Sequence, residues 1–277
     1  MKIQNWLRDS SARLKTAGIS SARLDSLVLL ENNLEKSREW ILAHPDYLLS
    51  SEELRILNKN VVQRKHHVPL AYIIGSKEFY GRDFMVMQDV LIPRPESEAI
   101  IEMLQVIASK FEINTIIDIG TGSGCLAVTA KLLYPSIHVT AVDNSGSALT
   151  IAKKNARRYG AQIQFKQLDI YSTLPTMPKT RPYVFLANLP YVPEELITSK
   201  EILKEPAQAL FSGQDGLDHY RAFWQQVGKL KNPPEYILTE SLSNQHISME
   251  QLAKAAGFVL ETTKDLIQQY RSLRSTI

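Results

Sequence analysis

"TIIDIGTGSGCLAVTAKLLY" (115–134) begins as an apolar β-branched run and ends with helical spacing, with three glycines between. Glycines at 120, 122 and 124 let the backbone approach a ligand closely where a strand turns into a helix N-terminus. The dinucleotide fingerprint G-x-G-x-x-G would need glycine at 125, where Cys125 stands, and an acid, Asp118, precedes the loop. A pyrophosphate would be repelled there, whereas a sulfonium carries the complementary charge. The second strand, "HVTAVD", ends at Asp143, about 20 residues on, where a carboxylate accepts hydrogen bonds from ribose hydroxyls. The third, "IQFKQLD", ends at Asp169, within reach of an adenine edge. These residues favour S-adenosylmethionine over a nicotinamide dinucleotide.

Outward from this loop, strands and helices alternate. "SALTIAKKNARRYG", "YVFLANLPY", a helix around 217–230, "EYILTE" and "HISMEQLAKAAG" follow in turn. Such alternation predicts an α/β fold, a doubly wound Rossmann-like parallel sheet with helices on both faces. The last stretch, "FVLETTKDLIQQYRSLRSTI", predicts a closing antiparallel hairpin. Upstream, residues 1–75 predict a small helical domain. Leu24, Leu27, Leu29 and Leu30 recur at helical spacing, and "SSEELRILNKNVVQRK" carries a serine cap, acids in its first turn and bases in its last. Aromatic and β-branched residues around Gly81 predict a hairpin linker over 76–92, leaving 93–277 for the sheet domain.

Composition narrows the classes. A chain of 277 residues with 44% hydrophobic and 22% charged residues is ordinary for a globular protein, and a charge of +3 is too small to argue for non-specific nucleic-acid binding. One cysteine excludes an internal disulfide, and six histidines show no close ligand pairing, the neighbours His66 and His67 pointing different ways on a helix; no metal is expected. No stretch approaches the ~18 apolar residues that span a membrane, and the first residues lack a secretory apolar core. A monomeric cytoplasmic protein is the expectation.

"NLPY" (188–191) lies at the end of the fourth strand of this core, on the rim where open α/β sheets bind ligands. The Asn188 side-chain carbonyl and the Leu189 main-chain carbonyl, directed by Pro190, supply two acceptors for a planar NH2 group on which Tyr191 stacks. Holding both N–H bonds aims the nitrogen lone pair at a methyl donor, which is catalysis by positioning. Asp/Asn-(Pro/Ile/Leu)-Pro-aromatic is the motif of amino methyltransferases acting on adenine, cytosine or glutamine nitrogens. The motif alone leaves these open.

Together with "PLAYIIGSKEFYG" (69–81), "LIPRPESE" (91–98), "EPAQALFSGQDGLDHYR" (205–221), "TESLSNQ" (239–245) and the terminal "KDL…YRSLRS", the chain resembles the HemK/PrmC family over nearly its whole length. The resemblance implies methylation of the side-chain amide (N5) of glutamine in the Gly-Gly-Gln loop of peptide chain release factors, with S-adenosylhomocysteine as product. It implies cofactor contacts from Asp118, Gly120, Thr121, Gly122, Ser123, Gly124, Asp143 and Asn188, with Asp169, Ile170 and Tyr171 near the adenine. It implies a glutamine held by Asn188 to Tyr191, and Arg94, Pro95 and Glu98 near the mouth. Leu189 departs from the family's usual proline, and Ile170 from a bulky aromatic for which Tyr171 compensates. A helical 1–75 would then recognise the release factor. The competing readings are a DNA or RNA adenine methyltransferase, which would want a basic groove, and a cofactor-sensing module without catalysis.

Overall fold

The computed structural model describes residues 1–178, 182–196 and 199–274. Contacts divide the chain into a unit of Met1–Ser76 joined by a short stretch around 199–204, and a unit formed by the remainder.

The first unit is helical: α1 (Ile3–Thr16), α2 (Ala22–Leu34), α3 (Arg38–Ala43), α4 (Ser51–Lys65) and α5 (Leu70–Ile74). Ser50 caps α4 reciprocally, its Oγ accepting the Glu53 N–H at 3.2 Å while the Glu53 carboxylate accepts the Ser50 N–H at 2.7 Å. Leu27, Leu29 and Leu30 join Trp6, Leu14, Leu57 and Val61 in the core, whereas Leu24 faces solvent. Buried Arg64 bonds Asp25 at 2.6 Å and Glu201 at 2.5 Å. The helix stops at Lys65, so the expectation that His66 and His67 sit on a helix fails: His66 is its C-cap and His67 takes φ 59°.

Where the second unit begins, β1 (Ser76–Phe79) and β2 (Arg82–Met85) form a hairpin. Its two turn residues, Tyr80 and Gly81, both have positive φ, the conformation of a tight hairpin turn. The pairing ends at Met85, and 86–94 contains no strand, so the hairpin occupies only the first part of the expected 76–92.

The large sheet comprises β3 (Thr115–Ile119), β4 (His138–Asp143), β5 (Gln164–Gln167), β6 (Tyr183–Ala187), β7 (Tyr236–Glu240), β8 (Phe258–Lys264) and β9 (Ile267–Ser272). Its order is β5-β4-β3-β6-β7-β9-β8, with β3 to β7 parallel and β9 antiparallel to both its neighbours. Helices α6 (Glu98–Lys110), α7 (Cys125–Leu133), α8 (Gly146–Arg158), α9 (Asp218–Gly228) and α10 (His246–Ala255) flank it. Successive residues of a strand serve opposite faces. Ile116, Val184 and Leu238 enter a core with Ile100, Leu104 and Val128, while Ile117, Phe185 and Ile237 enter another with Phe223, Trp224 and Met249. Burial on both faces is why β3, β6 and β7 are apolar almost throughout. The doubly wound fold with a terminal hairpin is therefore observed, the hairpin being inserted so that β9 lies inside the sheet.

One polar side chain brackets the core. Asn155 of α8, fully buried, accepts the Met85 N–H at 2.8 Å and donates to the carbonyls of Met85 at 3.0 Å and Ser123 at 2.8 Å. It therefore ties the hairpin and the glycine loop to one helix. Asn155→Ala strands buried backbone groups and is expected to cost about 2–3 kcal/mol. Urea denaturation should show a lowered midpoint with an unchanged slope; an unchanged midpoint would deny the bracket.

Candidate functional site

The chain runs from β3 first to β4 on one side and later to β6 on the other, which makes the carboxyl end of β3 the switch point where a crevice opens. A pocket lies there, lined by Gly120 to Ser123, Asp143 to Ser145, Ile170, Asn188 to Pro190, Arg94, Ser97 and His219 among others.

The three glycines take φ of 74°, 54° and 81°, which L side chains rarely adopt. A Cβ on Gly120 would stand 3.0 Å from the Leu189 side chain, and one on Gly124 3.0 Å from the Ala152 Cβ; on Gly122 it would meet nothing, leaving that face to a ligand. The Gly120 and Thr121 N–H groups both donate to the Val142 carbonyl at 2.9 Å, fixing the loop on β4. Asp143 completes the cradle: Oδ2 accepts the Gly122 N–H and Oδ1 the Ser145 N–H, each at 2.9 Å.

Asp118 lies buried beneath the loop, accepting the Thr121 hydroxyl at 2.6 Å. Burial, with the Asp143 charge adding to it, pushes the Asp118 carboxyl up to about 7. Burial also raises Asp143. Arg94 is committed to Glu205 at 2.6 Å, so its charge is already paired. Two acids strained by burial and a backbone cradle fit a cationic cofactor with a ribose. The Cys125 thiol, pushed up to about 12 by burial, stays protonated.

The remaining expected residues are spread more widely. Ile170 lines the pocket, but Asp169 is exposed and turns Oδ1 to the Tyr171 N–H at 2.9 Å. Tyr171 is half exposed and lies edge-on to His219, 5.2 Å between centroids; His219, not Tyr171, supplies the aromatic wall. Glu98 accepts the Tyr80 N–H at 2.9 Å and so serves the hairpin turn. Pro95 opens a 3₁₀ turn ahead of α6.

Asn188 follows β6 directly. Its Nδ2 donates to Ser97 Oγ at 2.9 Å and to Glu240 Oε2 at 3.0 Å. Tyr191 sends its hydroxyl to Glu240 Oε1 at 2.7 Å and does not line the pocket. Burial raises the Tyr191 phenol, with Glu240 adding to it, and also raises Glu240, against the donors Ser97, Tyr191 and Asn188. Tyr220 places its hydroxyl 2.8 Å from the Ala187 carbonyl and 2.6 Å from that of Glu240, and accepts the Glu240 N–H at 3.2 Å, clasping the ends of β6 and β7. Sequence reading gave Ser97, Glu240, Tyr220 and His219 no part in the site. An acid ending the apolar strand "YILTE", as Asp143 ends "HVTAVD", was the available signal.

Among the described residues no cluster suited to a metal ion occurs, and no helix is long and apolar enough to cross a membrane.

Comparison with known proteins now bears on this geometry. Residues 5–75 match the PrmC N-terminal domain and residues 96–213 the Methyltransferase small domain. The chain is 37% identical over 243 residues to the release factor glutamine methyltransferase of Koribacter versatilis, covering 87% of this chain and 86% of that one. It is 34% identical over 280 residues to that of Bacillus subtilis, covering 98% and 96%. Among solved structures, the hMettl16 catalytic domain in complex with the MAT2A 3'UTR hairpin 6 superposes with a TM-score of 0.54 at 12% identity, over 82% of this chain and 84% of that one, a likeness of fold alone.

Two binding results are expected. Asp143→Ala removes a charged acceptor together with the Gly122 and Ser145 bonds, and should weaken S-adenosylmethionine at least about tenfold by calorimetry. Asp118 is protonated below its raised value and a cationic ligand favours its ionised form. Affinity should therefore rise about tenfold from pH 6 to pH 8, level off above that, and lose this dependence in Asp118→Asn. A flat profile in the parent protein would separate Asp118 from the cofactor's charge.

Proposed function

The chain belongs to the release factor glutamine methyltransferase family, and on that premise we propose that it methylates the side-chain amide nitrogen of the glutamine in the Gly-Gly-Gln loop of peptide chain release factors. The observation that carries this reading is the placement of Asn188 on the pocket rim, its NH2 held from behind by Ser97 and Glu240. That leaves Oδ1 as an acceptor for the substrate.

Gly120 to Gly124, Asp143 and Ile170 would hold S-adenosylmethionine, with Asp118 contributing charge from below and His219 walling the base. When bound, the cofactor supplies an electrophilic methyl on a positively charged sulfur. Asn188 Oδ1 and the Leu189 carbonyl accept the two N–H bonds of the glutamine amide and turn its lone pair toward that methyl. These acceptors strengthen as positive charge grows on the nitrogen, so they serve the transition state more than the ground state. Transfer would break the methyl–sulfur bond, its electron pair staying on sulfur, as the nitrogen lone pair forms the new carbon bond, and the nitrogen would then release a proton. No base is needed before charge develops. Leu189 packs against Gly120 and is buried, and Pro190 fixes the chain direction beyond it. Arg94, paired with Glu205, shapes the mouth. The helical unit recognises the release factor, and the protein works as a cytoplasmic monomer without holding nucleic acid.

The deciding assay incubates the protein with labelled S-adenosylmethionine and either a release factor or adenine-containing DNA. Label on the release factor glutamine supports the reading; label on DNA alone hands it to the adenine alternative, and no transfer to the cofactor-sensing one. Asn188→Ala should lower kcat about 100-fold or more at saturating cofactor. Leu189→Pro sacrifices only a long 3.4 Å bond from the Leu189 N–H to Tyr220, and should stay within about tenfold of the parent. Full activity in Asn188→Ala would refute the mechanism.

A further inference from the structure

Glu240 ends β7 beside the end of β6, where Thr239 is in register with Ala187, the residue before Asn188. Its side chain is buried, 1% exposed, and no lysine or arginine bonds it among the described residues. Three donors converge on it instead. Ser97 Oγ donates to Oε2 at 2.6 Å, Asn188 Nδ2 to the same oxygen at 3.0 Å, and Tyr191 OH to Oε1 at 2.7 Å. They come from two segments that reach the rim independently: the turn before α6 supplies Ser97, and the stretch after β6 supplies Asn188 and Tyr191.

A buried carboxylate that only accepts dictates the polarity of whatever touches it. A carboxamide can turn end for end at little steric cost, and the reversed Asn188 would offer an amine to the substrate where the reaction needs an oxygen. Against Glu240 the reversed form sets Asn188 Oδ1 on a carboxylate oxygen at hydrogen-bond distance, two acceptors with no proton between them. The same carboxylate fixes the tilt of the Tyr191 ring through its hydroxyl. We propose that Glu240 is a positioning residue for methyl transfer, holding the Asn188 amide with Oδ1 toward the substrate nitrogen. This rests on the role assigned above to Asn188.

The test uses the full chain with the release factor as substrate. In Glu240→Gln the Tyr191 hydroxyl still finds the amide oxygen, so Nε2 faces Asn188 and draws Asn188 Oδ1 toward itself. The amine then points at the substrate. The kcat should fall at least about 30-fold, while S-adenosylmethionine affinity and the thermal midpoint stay close to the parent's. Adding Asn188→Asp gives Nε2 an acceptor and leaves a second oxygen facing the substrate. The double variant should recover at least about tenfold in kcat over Glu240→Gln, whereas Asn188→Asp alone, with two carboxylates in contact, should be impaired.

A residue that merely supports the fold would show no such recovery. Parental kcat in Glu240→Gln, or a double variant no better than that single one, overturns the inference. Asn188→Ala is run alongside: if it keeps full kcat the assignment of Asn188 itself has failed, and if it is inactive while Glu240→Gln is not, only the positioning role falls. Should Glu240→Gln lack the parent's thermal transition, hydrogen exchange of the Asn188 side-chain NH2 in the parent protein decides. Protection supports the clamp, and exchange at the rate of a free amide overturns it.

Discussion

Two hydrogen bonds to the Asp143 carboxylate hold the glycine-loop end of the crevice in shape. One comes from Gly122 in the loop after β3, the other from Ser145 at the start of α8. Both loops are thereby referred to a single side chain at the end of β4. The backbone then has no freedom to close the cradle or to splay it. Asn155, nearly three turns farther along α8, holds it from the other side through the Ser123 carbonyl. The glycine loop is thus suspended between two residues of neighbouring segments, and its Gly120, Thr121 and Gly122 N–H groups are spent on β4, which fixes the course of the backbone past the pocket. The arrangement carries a charge cost. A buried carboxylate facing another is tolerated where a cation is to arrive.

The other half of the rim obeys a different constraint. Parallel strands that are buried on both faces admit polar groups only where they stop, so each strand end becomes a place for chemistry. β4 stops at Asp143, β6 at Ala187 just before Asn188, and β7 at Glu240. The Tyr220 hydroxyl joins the last two by main-chain bonds, and the Glu240 carboxylate joins them by side-chain bonds. The spacing between Asn188 and its support is therefore set by strand separation, one of the least adjustable distances in a protein. A side chain mounted this way keeps its position when the loops beyond it move.

What could be read in the sequence was what leaves a local imprint. Alternation of apolar strands with helices, the glycines that only positive φ explains, and the serine cap of α4 each sit within a few residues of their cause. Asn188 was legible because the motif packs an amide, a proline and an aromatic into four positions. The network behind it was not: Ser97 and Glu240 stand 143 residues apart and their pairing has no period. Tyr171 looked like the aromatic partner of the base because it adjoins Ile170. The chain turns it outward, and His219, some fifty positions later, fills the wall. The extent of the first hairpin was overestimated because β-branched residues continue past Met85 into 86–92, where no neighbouring strand meets them. Composition signals a wish to be buried, not which partner will satisfy it.

The insertion of β9 between β7 and β8 carries a consequence for synthesis. A chain emerging from its N-terminus acquires β7 long before the strand that pairs with its outer edge. Until residues 267–272 have been made, β7 presents a row of free amide and carbonyl groups, and β8 has no partner within the sheet. Such an edge invites pairing with other chains. The Tyr270 ring, fully buried against Trp224, arrives with that same late strand and seals one of the two cores. Loss of residues 266–274 would leave the rim of the pocket in the chain and remove what closes the sheet behind it, so nascent molecules stay vulnerable to aggregation until β9 has been made.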